Sequence, residues 1–433
     1  MSDVIIYAPI WIPSIIAVVL AVIYLMPGLA ELYTHIFGDA FVFFFYSAFF
    51  WFPVLLMYAF WRSWLLYIRS RYLYKLEWVL LDIKIPQDVT QSPLAMETFL
   101  MSLYQTGKET TFIDRYWKGQ LRAHYSLEIV SIEGQVKFFI FTRADFRKLI
   151  ESSLYAQYPH IEIHEAPDYA KSFNFNPKEN DMYVIDYKLK NPDPFPIKTY
   201  VDYNLDKEGV DEENKIDPIN TIIEFMGSMG ANQQAWLQII IRAHKKDSRK
   251  QGTWFDQTDK WKDEAKDEIE KIRREALPPG DDSTKFPNPT KGQQERIAAL
   301  ERSISKIPFD VGIRSIYMGK KDFFDGANIS GQRTILRSYS APHLNEFSPT
   351  NWLDGFDYPW EDFRDIRKNN KKREALEAYK RRSFFYMPYI GSKMILNVEE
   401  LASLFHLPGQ VAKTPSLSRI PSKKSEAPAN LPI

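Results

Sequence analysis

Cysteine is missing from all 433 residues, which excludes disulfides, thiolate metal sites and cysteine nucleophiles. Its absence fits a reducing compartment. Net charge is missing too: 55 Lys and Arg balance 55 Asp and Glu, so bulk electrostatics names no partner. No window carries the Gly-x-x-x-x-Gly-Lys-Ser/Thr that cradles nucleotide phosphates, and ATP-driven work by this chain itself is not expected. Gly227-Ser-Met-Gly230 is one residue short of a Gly-x-Ser-x-Gly nucleophile elbow and reads as a helix end. Acidic residues are dispersed, without an isolated carboxylate pair in an apolar run that would suggest a tuned acid and base. The chain therefore reads as a non-enzyme without a cofactor.

What the chain has is apolar and aromatic sequence at its start. Val4–Met26 and Ala40–Trp61 contain no charged residue, and each is long enough for the roughly 20 apolar residues that cross a bilayer core as helix. Pro9, Pro13 and Pro53 are tolerated in such helices. Between the runs, Pro27–Asp39 reads as a short loop with Glu31 and Asp39 but no Lys or Arg. Arg62, Arg69, Arg71 and Lys75 follow the second run, and the positive-inside rule assigns that flank to the cytoplasm. The expectation is a two-pass hairpin over residues 1–75 in the cell (inner) membrane, with both termini cytoplasmic and the lipid bilayer as first partner. Trp51, Trp61, Trp64, Tyr67, Tyr72 and Tyr74 suit an interfacial belt. A signal peptide fits less well, because the first run lacks a basic lead and a small-residue cleavage site.

Beyond residue 76 the pattern is globular α+β. Trp78–Pro86 alternates as a strand, Ser92-Pro93 opens a helix over Leu94–Tyr104, and Tyr125–Ile132 and Gln135–Thr142 flank Glu133-Gly134 as a hairpin. An amphipathic helix, Asp145–Gln157, and a strand, His160–Glu165, close the series. This βαββαβ order is that of a ferredoxin-like unit, placed at 76–180. A second such unit is expected at 181–409: strand Thr199–Leu205, helix Ile219–Met229, strands Trp236–Arg242 and Val311–Met318, and a helix within Phe323–Tyr339. Its middle hairpin is interrupted at 245–308 by two charged helices, joined at Pro278–Asp282, whose thin apolar seam suits a two-helix contact, a partner surface or a solvated decoration. A basic helix, Trp360–Arg382, a strand ending at Asn397 and a short helix, Val398–Phe405, complete the unit. Residues 410–433, rich in Pro, Ser and Lys, read as a linker or docked peptide.

Three residue groups could carry function. His160, Glu162 and His164 alternate along a strand and could ligate a divalent metal, although the polar face of an edge strand explains them equally. Lys368, Lys371, Lys372, Arg373, Lys380, Arg381 and Arg382 make one helix basic enough to meet nucleic-acid phosphates or anionic lipid, or simply to be solvated. His406, between Phe405 and Leu407, reads as a packed histidine at a helix end.

The last group is a resemblance. The stretch Glu374–Tyr386 (EALEAYKRRSFFY) and the block Leu396-Asn397-x-Glu399-Glu400-Leu401-Ala402-x-Leu404-Phe405-His406-x-Pro408, followed by the basic, proline-containing tail Ser422–Pro432, resemble the membrane-anchored region that precedes the motor in conjugation and type IV secretion-type ATPases of candidate-phyla-radiation bacteria. The resemblance implies an accessory or scaffold subunit of a DNA-transfer machine. Leu396, Asn397, Glu399, Glu400, Leu401, Phe405, His406 and Pro408 would engage a motor ATPase carried on a separate chain, with copies of this chain assembled in a homo-oligomeric ring.

Overall fold

A computed structural model describes residues 27–86, 91–207, 216–246, 248–249, 257–277, 288–353, 355, 358, 360–409, 417 and 419–420. The chain divides into two compact units, Met1–Ile68 and Arg69–Ile433.

Helix α1 runs over Pro27–Tyr74. The expected loop at Pro27–Asp39 is therefore helical, as Leu29, Ala30, Glu31 and Leu32, all good helix formers, favour. Within α1, Val42–Tyr74 is long and apolar enough to cross a membrane, with mean hydropathy 1.8 and none of its most apolar window buried. Phe49 is 79% exposed, and an all-round apolar surface of this kind suits a helix that crosses a bilayer. The expected first span, Val4–Met26, lies outside the described residues, so one candidate membrane-crossing helix is described.

The second unit is α+β around one ten-stranded, almost wholly antiparallel sheet. Its first half runs β1 (Trp78–Pro86), α2 (Pro93–Ser102), α3 (Phe112–Tyr116), β2 (His124–Ile132), β3 (Gln135–Arg143), α4 (Arg147–Gln157) and β4 (Glu162–Ala166). β1 pairs with both β3 and β4, and β3 with β2, giving the neighbour order β4-β1-β3-β2. After the short helix α5 (Tyr169–Ser172), the second half runs β5 (Asn180–Leu189), α6 (Ile219–Gly227), β6 (Gln233–Ala243), α7 (Lys260–Glu275), α8 (Lys291–Ser305), β7 (Pro308–Lys320), α9 (Ala327–Thr334) and β8 (Phe347–Asn351). Its neighbours are β8-β5-β7-β6, the same arrangement. The halves join through β2 and β6, where Glu128 opposes Gln238.

Thr199–Leu205 is not a strand. It forms turns in which Asp202 caps the Thr199 N–H and Asn204 takes a φ of 56°. The strand is β5, which buries Met182 and Val184 on one face of the sheet and Ile185 and Tyr187 on the other. The inserted helices α7 and α8 do pack on each other through Ile269, Ile272, Ile297 and Leu300, and spend the rest of that seam on Phe195, Ala341 and Leu344. Their connection at Pro278–Asp282 lies outside the described residues. The chain then forms α10 (Ile366–Lys380), β9 (Met394–Asn397), which pairs with β7, and α11 (Val398–Leu404). Of the tail, Arg419–Ile420 (β10) pairs in parallel with Ile85 and Pro86, and Leu417 bridges to Val136. The remainder of 410–433 lies outside the described residues.

The period-two pleat sorts side chains by face. Leu127, Ile129, Leu237, Ile239, Val311 and Ile313 enter the main apolar core with residues of α2, α4, α6 and α11. Ser126, Glu128, Gln238, Arg242, Asp310 and Arg314 take alternate positions on the same strands. They form a buried polar seam that α10 and the segment after it cover.

Candidate functional site

The seam has two charge clusters. In the first, Arg382 and Glu128 are both fully buried. The Arg382 guanidinium donates to Glu128 at 3.0 and 3.3 Å and to Asp168 at 2.7 and 2.9 Å, and its Cζ lies 4.2 Å from the centre of the Phe141 ring. Glu128 also accepts from Ser126 (2.7 Å), Tyr169 (2.8 Å) and Gln238 (3.1 Å). Burial, with the Glu128 charge, pushes the Tyr169 and Tyr379 hydroxyls well above their usual range, so both stay neutral donors. Arg382 holds a left-handed φ of 48° just past the end of α10, a position where glycine is usual; its forked salt bridges hold it there.

In the second cluster Asp310 accepts from Arg242 at 2.8 Å and meets His244 at 2.7 Å. Burial alone would raise its carboxyl, but the His244 hydrogen bond and the Arg242 and Lys393 charges hold it well below the usual carboxylate range. His244 also lies 3.4 Å from Asp259, the N-cap of α7, so it joins the sheet to the inserted helices.

Between the first cluster and the end of α1 opens a cavity of about 600 Å³. Its walls include Leu73, Trp78, Phe141, Phe384 and Tyr386, and Lys171, Lys380 and Arg381 supply cations. His124 also lines it. Burial, with Arg242 and Arg143 nearby, lowers that imidazole to about 4, so at neutral pH it is uncharged. The ring packs at 5.0 Å against Trp78. Phe384 is seated between glycines: a Cβ at Gly312 or Gly391 would come within 2.2 or 2.5 Å of its ring. A pocket of this size with aromatic walls and a cationic side suits an amphipathic ligand of molecular size. The buried carboxylates Glu128 and Asp310 are each matched by a cation, Arg382 and Arg242.

A family model described as a domain of unknown function, DUF8128, matches residues 74–419. The chain belongs to the DUF8128 family. No curated protein matches it.

The DUF8128 region contains all three residue groups singled out in the sequence. The block expected to meet a partner is interior: Leu396, Asn397, Glu399, Glu400, Leu401, Phe405, His406 and Pro408 are all buried. Asn397 and Glu400 form a reciprocal capping box on α11, with Glu400 also accepting the Ile197 N–H at 2.9 Å. Glu399 accepts from Thr199 (2.7 Å) and pairs with Arg302 (2.8 Å). His406 bridges the Ala402 carbonyl (2.9 Å) and Asp217 (3.1 Å). These contacts tie α11 to the turns at Ile197 and Thr199, to α8 and to the segment before α6.

The basic helix of the DUF8128 region is likewise partly internal. Arg382 belongs to the seam, and Lys372 is buried on Asp181. Lys371 pairs with Glu374 (3.0 Å), Arg381 with Glu377 (3.6 Å), Lys380 donates to Asn174 (3.2 Å) and Arg373 to Asn370 (3.2 Å). Lys368 is half-buried. Acids pair with Lys371, Lys372, Arg381 and Arg382, so the helix does not present all seven cations to solvent. For the metal trio, the strand starts at Glu162, which leaves His160 in the preceding turn; Glu162 and His164 lie 3.3 Å apart. No group of three or more metal-ligating side chains occurs among the described residues. Glu128, Asp168 and Asp310 were not anticipated. For Glu128 of β2 and Asp310 of β7 the signal was a single acid inside a strand that carries no other.

Proposed function

We propose that the chain is a membrane-anchored, non-catalytic platform of a type IV secretion-like or conjugative DNA-transfer machine, on which a separate motor ATPase docks. The observation that carries this reading is helix α1, long and apolar enough over Val42–Tyr74 to cross a membrane and followed by the sheet within three residues. α1 ends at Tyr74 and β1 starts at Trp78. The Leu76 N–H donates to Leu73 at 3.2 Å and the Ala144 N–H to Glu77 at 2.9 Å.

The repeated strand order supports two ferredoxin-like units fused edge to edge, each pairing its second strand with its counterpart. Val4–Met26 is read as a second span that keeps both termini cytoplasmic, and a ring of copies would give the motor a symmetric seat. Since Leu396–Pro408 is interior, the docking role falls to 421–433, just past β10. Removing 421–433 from the full chain should abolish co-purification with a P-loop ATPase while membrane insertion persists. Undiminished co-purification would sink the docking role.

A further inference from the structure

The segment between α2 and β2 exposes apolar side chains on a rigid base. Lys108 and Glu109 hold consecutive left-handed φ values of 66° and 51°, a conformation disfavoured for non-glycine residues. Glu109 is turned inward: its carboxylate accepts from Arg122 at 2.9 Å and Tyr386 at 3.2 Å, and its carbonyl accepts from Lys245 at 3.2 Å. From that clamp Thr111 caps α3, its side chain accepting the Asp114 N–H at 3.1 Å. The result presents Phe112, Ile113 and Trp117 at 66%, 59% and 66% exposure. A rigid, clustered apolar tip on a domain surface marks an interaction site.

Lys108 donates to the Tyr72 hydroxyl at 3.4 Å and sits 5.8 Å from that ring's centre, so the loop is fastened to the last turns of the apolar helix α1. Its tip combines aromatic and aliphatic side chains with Lys108, Arg115 and Lys118, the composition of elements that lie in a bilayer interface and meet anionic headgroups. We propose that residues 107–119 form a second membrane contact: Phe112, Ile113 and Trp117 dip into the bilayer interface. This rests on α1 being embedded in lipid.

The lack of cysteine makes the test clean. Single variants Ile113→Cys, Phe50→Cys and Ala156→Cys of the full chain, in nanodiscs containing anionic phospholipid, are spin-labelled, and relaxation by oxygen and by a water-soluble nickel chelate is compared. Positions 50 and 113 should favour oxygen several-fold over position 156, which should favour nickel. If position 113 behaves like 156 while 50 stays lipid-like, the second contact is wrong and the anchor stands. If position 50 also behaves like 156, the anchor itself fails. Shielding of 113 from both agents would mean a protein covers the tip, which overturns the proposal.

Discussion

Replacing Arg382 by methionine removes the one cation shared by Glu128 and Asp168 while keeping most of the side-chain volume. Four N–H···O contacts of 2.7–3.3 Å disappear, and a carboxylate with no exposed surface is left facing a second one. Breaking a buried pair in this way costs about 3–5 kcal/mol. Glu128 keeps Ser126, Tyr169 and Gln238 as donors, so the lower end, about 3 kcal/mol, is expected here. Adding Glu128→Gln takes away the stranded charge and should restore much of the loss, giving a coupling of about 2 kcal/mol between the two sites. Urea unfolding of the full chain, followed by fluorescence of the buried Trp236 that packs 5.2 Å from Tyr379, measures both. Strictly additive losses, or R382M within about 0.5 kcal/mol of the native chain, would refute the view that this cluster is a buried, mutually dependent unit.

Stability should fall as pH rises from about 6.5 to above 8; below 6.5 the depressed His124 imidazole opposes the trend, because there the unfolded state takes up its proton first. Burial lowers His406, but the Asp217 charge and hydrogen bond outweigh it and raise the imidazole above its usual 6.5, so its contribution is complete below that value and lost above its folded pKa. Burial pushes Glu400 up to about 8, so the unfolded state releases that proton first and loses less by ionising. Thermal melts across this range should slope downward and E400Q should flatten part of the slope; a rise with pH would contradict both assignments. Gly312→Ala forces a Cβ to 2.2 Å from Phe384, an overpacking expected to cost about 1–3 kcal/mol or more, whereas Gly326→Ala, with open space around it, should change stability by less than about 0.5 kcal/mol. Lys372→Ala should destabilise by about 1 kcal/mol, since Asp181 is partly screened by water, and Arg373→Ala should be neutral in the same melts.

The elements that strict alternation or periodicity announce were legible in the sequence: β1, the β2–β3 hairpin and α4. β5 was missed because its alternation ends in Asp186-Tyr187-Lys188, charges that sit in a strand only because Arg314 pairs with Asp186 at 2.8 Å from the neighbouring strand. That partner is more than a hundred residues away, and no local pattern reveals it. The same distance hid the candidate site. Arg382 reads as one more cation at a basic helix end until β2 brings Glu128 beneath it. Glu399 and Glu400 read as surface acids until α11 tucks against Thr199 and Ile197. Local sequence shows which residues are charged; the tertiary pairing decides which of them are buried.

Alkaline carbonate extraction of membranes from cells making the full chain is the most direct measurement of the anchoring on which the rest depends. The native chain should remain in the pellet, and a variant with Leu55 and Leu56 both replaced by arginine should move to the supernatant. Native chain released by carbonate as readily as that variant would contradict an α1 embedded in the bilayer.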